Sequence, residues 1–88
     1  KGLWGEAVPL LRHVTALAPE RGAAFYYLGE SLNHVDDLLG ALSAYQRAAE
    51  LQPANARALY RLGIIYDRLA RPDDAAAMYR KSRAVGRR

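Results

Sequence analysis

His13 and His34 are the two histidines of the chain, and neither stands at a metal-ligand spacing such as His-x-x-x-His or beside a nucleophile. Cysteine is absent, which removes a thiolate nucleophile and a Cys-based zinc site while leaving the compartment open. Ser31, Ser43 and Ser82 are the only serines. His34 lies close to Asp36 and Asp37, a composition that could serve acid–base or metal chemistry. Beside carboxylates that start a helix, however, a solvated or capping histidine is the expectation. Glu30 has no second carboxylate at helical spacing, and Asp73-Asp74 are accounted for by a helix dipole. Gly29 and Gly63 are isolated, so no glycine-rich phosphate loop is present. These residues predict no catalysis, no cofactor and no metal site.

Tyrosine and arginine offer binding chemistry instead. At 100° per residue, Tyr26, Glu30 and Asn33 lie roughly opposite an apolar stripe headed by Phe25, and Arg57, Tyr60, Ile64 and Arg68 occupy the same surface one helix later. Tyr buries large area with few rotors, and Arg presents a forked donor, which is why both are enriched at protein contacts. For Tyr26 and Tyr60 two roles stand open: contact with a partner, or filling of space between neighbouring helices. Arg57 and Arg61 are four apart, where like charges repel unless an anion lies between them; Glu30 on the adjacent helix is one candidate. The C-terminal group Arg80, Lys81, Arg83, Arg87 and Arg88 contains no acid, and would bind nucleic acid electrostatically. Cations placed at a helix C-terminus explain it more simply, so nucleic-acid binding is not expected.

These side chains must be positioned by a small all-helical unit. A chain of 88 residues buries only roughly 60 to 65% of its unfolded surface. Its apolar share is dominated by Ala with one Phe, one Met and one Trp, which suits close-packed helices. No apolar run approaches the ~20 residues of a membrane span. The net charge of +4 is uneven: residues 1–44 carry three basic and five acidic groups, residues 45–88 ten and four. The opening at Lys1 and the stop at Arg88 read as a piece of a longer protein.

Sliding the chain by 34 residues brings Ala7, Ala41 and Ala75 into register, then Leu11, Tyr45 and Tyr79, then Pro19 and Pro53. The same offset pairs Tyr26 with Tyr60, Leu28 with Leu62 and Gly29 with Gly63. Each unit splits into two helices. The first carries Phe25, Leu28, Gly29 and Leu32, or Leu59, Leu62, Gly63 and Tyr66, on one face. A helix-interior Gly costs about 0.5 to 1 kcal/mol, so its recurrence predicts a neighbour too close for a Cβ. The second helices begin near Asp36-Asp37 and at Pro72-Asp73-Asp74, where carboxylates meet the dipole, and Pro53 ends one of them. Near the N-terminus, Gly2-Leu3-Trp4 reads as a turn, a helix starts near Gly5 or Glu6, and Pro9 sits awkwardly about one turn inside it.

The run Phe25-x-x-Leu28-Gly29-x-x-Leu32, followed by Ala41, Tyr45, Ala48 and Pro53, resembles the tetratricopeptide repeat pattern, and Leu59-x-x-Leu62-Gly63-x-x-Tyr66, Ala75 and Tyr79 repeat it. Phe25 and Leu59 replace the family's Trp, Ser82 its last Ala and Arg87 its Pro, which suggests that the array loosens after Val85. A pentatricopeptide pattern fits the Leu-Gly pair and Pro53 less well. The resemblance implies an all-α solenoid of antiparallel helix pairs, about two and a half repeats in a right-handed superhelix. Residues 1–21 are then the second helix of a truncated repeat, 22–55 the second repeat, and 56–88 the third with its basic end.

The resemblance also implies a non-catalytic module that binds a peptide or helix of a protein partner in a concave groove. Its contacts are expected at Tyr26, Glu30, Asn33, Arg57, Tyr60, Arg61, Ile64 and Arg68. Arg57 and Arg61 are spaced like two basic residues of the carboxylate clamp of chaperone-binding tetratricopeptide domains, which points to an acidic patch or terminal carboxylate. The clamp's Asn position is Tyr27, and the helix for its other residues is missing. The alternative is a structural or oligomerising arm of a larger assembly. Val8, Leu10, Leu11 and Val14 would lie partly uncovered at the open end, so self-association into a homo-oligomer is expected.

Overall fold

The apolar faces of the repeat can be buried only if each helix lies against the next, and the structure takes that course. The computed structural model describes residues 2–87, which form five helices: α1 Gly2–Leu17, α2 Gly22–His34, α3 Leu38–Leu51, α4 Ala56–Arg68 and α5 Pro72–Gly86. Each packs chiefly on its neighbours in the chain, giving a slab of 33 × 27 × 16 Å. Tyr26, Leu28, Leu32, Ala41, Tyr45, Ala48, Leu59, Leu62 and Ile65 make one continuous core, so the product is an α-solenoid.

The recurring glycines allow the closest approaches. A Cβ on Gly29 would stand 2.8 Å from the ring of Tyr45, and one on Gly63 would collide with the ring of Tyr79. The aromatic side chain of each second helix thus lies against bare backbone of the first. Pro19 and Pro53 fall two residues beyond the ends of α1 and α3, where a missing donor stops helical extension.

The starts of the helices differ from expectation in two places. Asp36 and Asp37 are not first-turn residues of α3. Asp37 is its N-cap, accepting from the Gly40 amide at 3.0 Å, and Asp36 adopts a left-handed turn with φ 66° that closes α2. The equivalent turn after α4 places Ala70 at φ 59°. At α5 the expectation holds, with Pro72 opening the helix and Asp73 and Asp74 in its first turn.

The N-terminal turn is also corrected. Gly2-Leu3-Trp4 is helical, and α1 runs through Pro9 without interruption. Pro9 removes one intrahelical donor, but Gly5, whose carbonyl loses that partner, is exposed to water. The helix extends because Trp4 has a surface to pack on: its ring stacks on His34 at 3.9 Å with planes 3° apart. His34 is exposed, as expected of a solvated histidine, and also fastens the start of α1 to the end of α2.

Candidate functional site

The first helices of the two pairs, α2 and α4, lie side by side and present the tyrosines and arginines. Tyr26 is 4% exposed, which corrects its expected place off the core. A single helix cannot reveal this burial, because α4 covers the ring from a position 35 residues further on. The ring meets Tyr45 edge-on at 5.6 Å, and its hydroxyl accepts a hydrogen bond from Arg61 Nε at 3.3 Å. The Arg57 guanidinium sits over the same ring, 5.0 Å from its centre. Tyr26 is therefore the platform that orders two arginines.

Arg61 has its pKa raised further, first by the hydrogen bond to Tyr26 and then by the electrostatic influence of Tyr26, Tyr45 and Glu30, against a burial effect that lowers it. It stays charged. Glu30 is half-buried on α2 and acts on Arg61 and Tyr45 through its field. Among the described residues, neither Arg57 nor Arg61 pairs with a carboxylate within 4.0 Å. Glu30 on the adjacent helix thus acts on Arg61 as expected, through its field and without a direct ion pair.

Tyr60 is 51% exposed, its ring resting on Tyr79 at 5.5 Å. Together with Tyr26, Ala56, Arg57, Arg61 and Ser82 it lines a shallow hollow of about 210 Å³. Ser82, which replaces an Ala of the pattern, uses its hydroxyl to donate to the Ala56 carbonyl at 2.8 Å. Ile64 is half-buried beside this surface.

Asn33 and Arg68 are brought together, but with each other. Arg68 donates to the Asn33 carbonyl at 3.1 Å and to the Asn33 side chain, and pairs with Asp36 at 2.8 Å. This cluster closes the end of α2 against α4, so both residues have a structural use before any partner arrives. The residue missed by sequence reasoning is Tyr27, half exposed, which with Ala23, Asn55 and Arg57 borders a second hollow of about 90 Å³. The adjacent pair Tyr26-Tyr27 was its signal: two aromatic neighbours on one helix cannot both face inward.

A larger hollow lies elsewhere. A crevice of about 720 Å³ runs between α3 and α5 over α4, lined by Ala49, Pro53, Leu59, Leu62, Tyr66 and Met78 among others. A counterpart of about 440 Å³ lies between α1 and α3 over α2, lined in part by Thr15, Phe25, Leu28 and Ala44. Thr15 and Phe25 become Ala49 and Leu59 one repeat later, which fits the wider second crevice. Among the described residues no three His, Asp or Glu side chains converge on a metal position, and no helix is long and apolar enough to cross a membrane. Arg80, Lys81, Arg83 and Arg87 are exposed, apart from the groove tyrosines; Arg88, the last of that basic group, lies outside the described residues.

A profile of the tetratricopeptide repeat family matches residues 20–88. The chain belongs to the tetratricopeptide repeat family. A crystal structure of MamA superposes on it with a TM-score of 0.93 and 32% identity, covering 96% of this chain and 49% of that one. MamA from Desulfovibrio magneticus RS-1, residues 41 to its end, gives a TM-score of 0.93 at 28% identity, covering 97% and 48%. The chain spans about half the length of the MamA structures it matches. No curated protein matches it. Tetratricopeptide repeats are protein-interaction scaffolds, and this chain is a module of that kind.

Proposed function

We propose that the tetratricopeptide module captures an acidic segment of a protein partner along the α2–α4 surface, without catalysis. The observation that carries this reading is the ordering of Arg57 and Arg61 by one buried ring, Tyr26, beside the half-exposed Tyr60. Two guanidinium groups one helical turn apart, held in place before a partner binds, lose little side-chain entropy when they meet a carboxylate. Tyr60 and Ile64 add apolar area next to that charge, and Tyr27 and Glu30 flank it. Asn33, Arg68 and Tyr26 support this surface from behind rather than reaching out. The repeat division at residues 22–55 and 56–88, with 1–21 as a trailing helix, is the frame in which the surface recurs.

The test is a binding titration with acidic peptides that end in a free carboxylate, alongside their amidated counterparts, followed by fluorescence anisotropy. The double change Arg57→Ala, Tyr60→Ala should weaken capture about tenfold or more while leaving helicity unchanged. Equal binding by the double variant would sink the assignment. Equal binding of free and amidated peptides would place recognition on acidic side chains and not on a terminal carboxylate.

A further inference from the structure

Beside the arginine surface lies the smaller hollow of about 90 Å³, lined by Ala23, Tyr26, Tyr27, Gln52, Asn55 and Arg57. Its walls come from α2, from the turn between α3 and α4, and from the first turn of α4. Tyr26 and Arg57 also line the hollow that holds Tyr60 and Arg61, so the two spaces share a border. These walls are ordered by contacts within the chain. Tyr27 is half exposed, yet its ring stands edge-on to the buried Tyr26 ring, with 5.6 Å between centres and 82° between planes. Arg57 is held over the same Tyr26 ring. At the other end a helix cap fixes two side-chain amides. Asn55 Oδ1 accepts from the Arg57 and Ala58 amides at 3.0 and 3.2 Å, which leaves Asn55 Nδ2 to donate, and Gln52 Oε1 accepts from it at 3.1 Å. Gln52 lies against bare backbone, since a Cβ on Gly22 would stand 3.0 Å from its Cγ and Cδ. With its oxygen engaged, Gln52 offers the Nε2 hydrogens, which meet no acceptor among the described residues.

We infer that this hollow selects a side chain close to the captured carboxylate, a small one that carries an acceptor oxygen, as in Ser, Thr or Asn. The inference rests on the α2–α4 reading and names what that surface discriminates. Size is the first ground. A hollow of about 90 Å³ matches the volume of three waters at about 30 Å³ each, room for a hydroxyl or a short amide and too little for an indole. Widening it would break the edge contact between Tyr26 and Tyr27 or move Arg57 off the Tyr26 ring. Polarity is the second. An apolar occupant would shield Gln52 Nε2 from water without giving it an acceptor, whereas an oxygen replaces the water it displaces. The shared border sets the register. A carboxylate on Arg57 sits beside the hollow, and an extended segment advances about 3.3 Å per residue, so the selected side chain belongs to a residue within two positions of the acid.

The test titrates the chain with labelled peptides of equal charge that carry Ala, Ser, Leu or Trp at each of the two positions on either side of an acidic pair, followed by fluorescence anisotropy. At one position Ser should bind about three- to tenfold more tightly than Ala, the worth of one hydrogen bond. Trp at that position should bind about tenfold or more weakly than Ala. Tyr27→Ala should bring Trp level with Ala and keep the preference for Ser. Gln52→Met should bring Ser level with Ala and keep the rejection of Trp. Each readout is a ratio between peptides on one protein, so a uniform change in affinity cancels. Acidic peptides that bind the wild type whatever their neighbouring side chains overturn this inference and leave the arginine surface standing. A wild type that captures none of them overturns both. Ratios that neither variant moves place the selection elsewhere, and overturn its assignment to Tyr27 and Gln52.

Discussion

Tyr26 and Tyr60 hold the same place in successive repeats, yet one is 4% exposed and the other 51%. Their local sequences do not account for this. Tyr26 is covered by Arg57 and Arg61 of α4, and Tyr60 has no following first helix among the described residues to cover it. In a stacked array a side chain's role is set by the repeat after its own. Among the described residues Tyr26 is a buried platform and Tyr60 is half exposed. Within these residues Tyr26 serves structural support.

The contrast is sharpest under truncation. Tyr26→Ala removes a buried ring that touches Tyr45 and holds two arginines, and should cost about 3 to 5 kcal/mol in urea unfolding followed by circular dichroism. Tyr60→Ala should cost less than about 1 kcal/mol while weakening peptide capture. Equal costs would mean that α4 does not cover Tyr26 in solution.

The glycines extend the comparison at smaller scale. Gly29→Ala drives a methyl into Tyr45, which is 1% exposed and has no room to shift. Overpacking of about 1 to 3 kcal/mol, less about 1 kcal/mol of improved helix propensity, leaves a net loss of about 0 to 2 kcal/mol. At Gly63 the opposing ring is Tyr79, only half-buried on the outer helix and able to swing outward, so Gly63→Ala should lose less. Thermal melts of the two variants decide whether the third repeat is the looser one.

The helix pairs were legible because the signals that define them are local: the 34-residue period, the Leu28-Gly29 and Leu62-Gly63 pairs, and the prolines that end helices. The family assignment follows from the same residues. What sequence reasoning missed depended on contacts between helices. Tyr26 exchanged places with Tyr27 because periodicity along α2 contains no information about α4 lying over it. Arg68 proved to be occupied by Asn33 and Asp36, a contact that spans 32 to 35 residues. Trp4 turned an expected turn into helix because His34, on another element, supplied a stacking surface.

The turns that follow α2 and α4 offer a finer comparison. Asp36 and Ala70 hold the same left-handed backbone, with φ 66° and 59°. Asp tolerates this region through local hydrogen bonding, whereas Ala carries the steric penalty of its Cβ without compensation. Ala70→Gly should therefore stabilise the chain by about 0.5 to 1 kcal/mol, measured as a shift in urea midpoint. Asp36→Gly relieves the same strain but gives up the ion pair with Arg68, and should show no comparable gain.

The smallest difference between the repeats appears only in alkali. Tyr79 is pushed up from 10.0 to about 12, first by burial and then by the hydrogen bond it donates to Asp67 at 2.8 Å; burial chiefly raises Tyr45 as well. A tyrosine whose folded pKa is raised favours the folded chain fully below pH 10, where it is neutral in both states. That contribution is lost as the unfolded chain ionises and pH climbs through the folded value. Between pH 10 and 12 the stability of the wild type should therefore fall, with Tyr45 and Tyr79 both contributing. Tyr79→Phe cannot ionise, so its stability should decline less steeply over that window, even though it starts lower for want of the bond to Asp67. Urea midpoints at half-unit pH steps separate the two effects: the offset at neutral pH reports the hydrogen bond, and the difference in slope reports ionisation. Parallel profiles would mean that Tyr79 titrates alike in both states, and that the outer helix of the third repeat leaves its hydroxyl as open to water as the unfolded chain does.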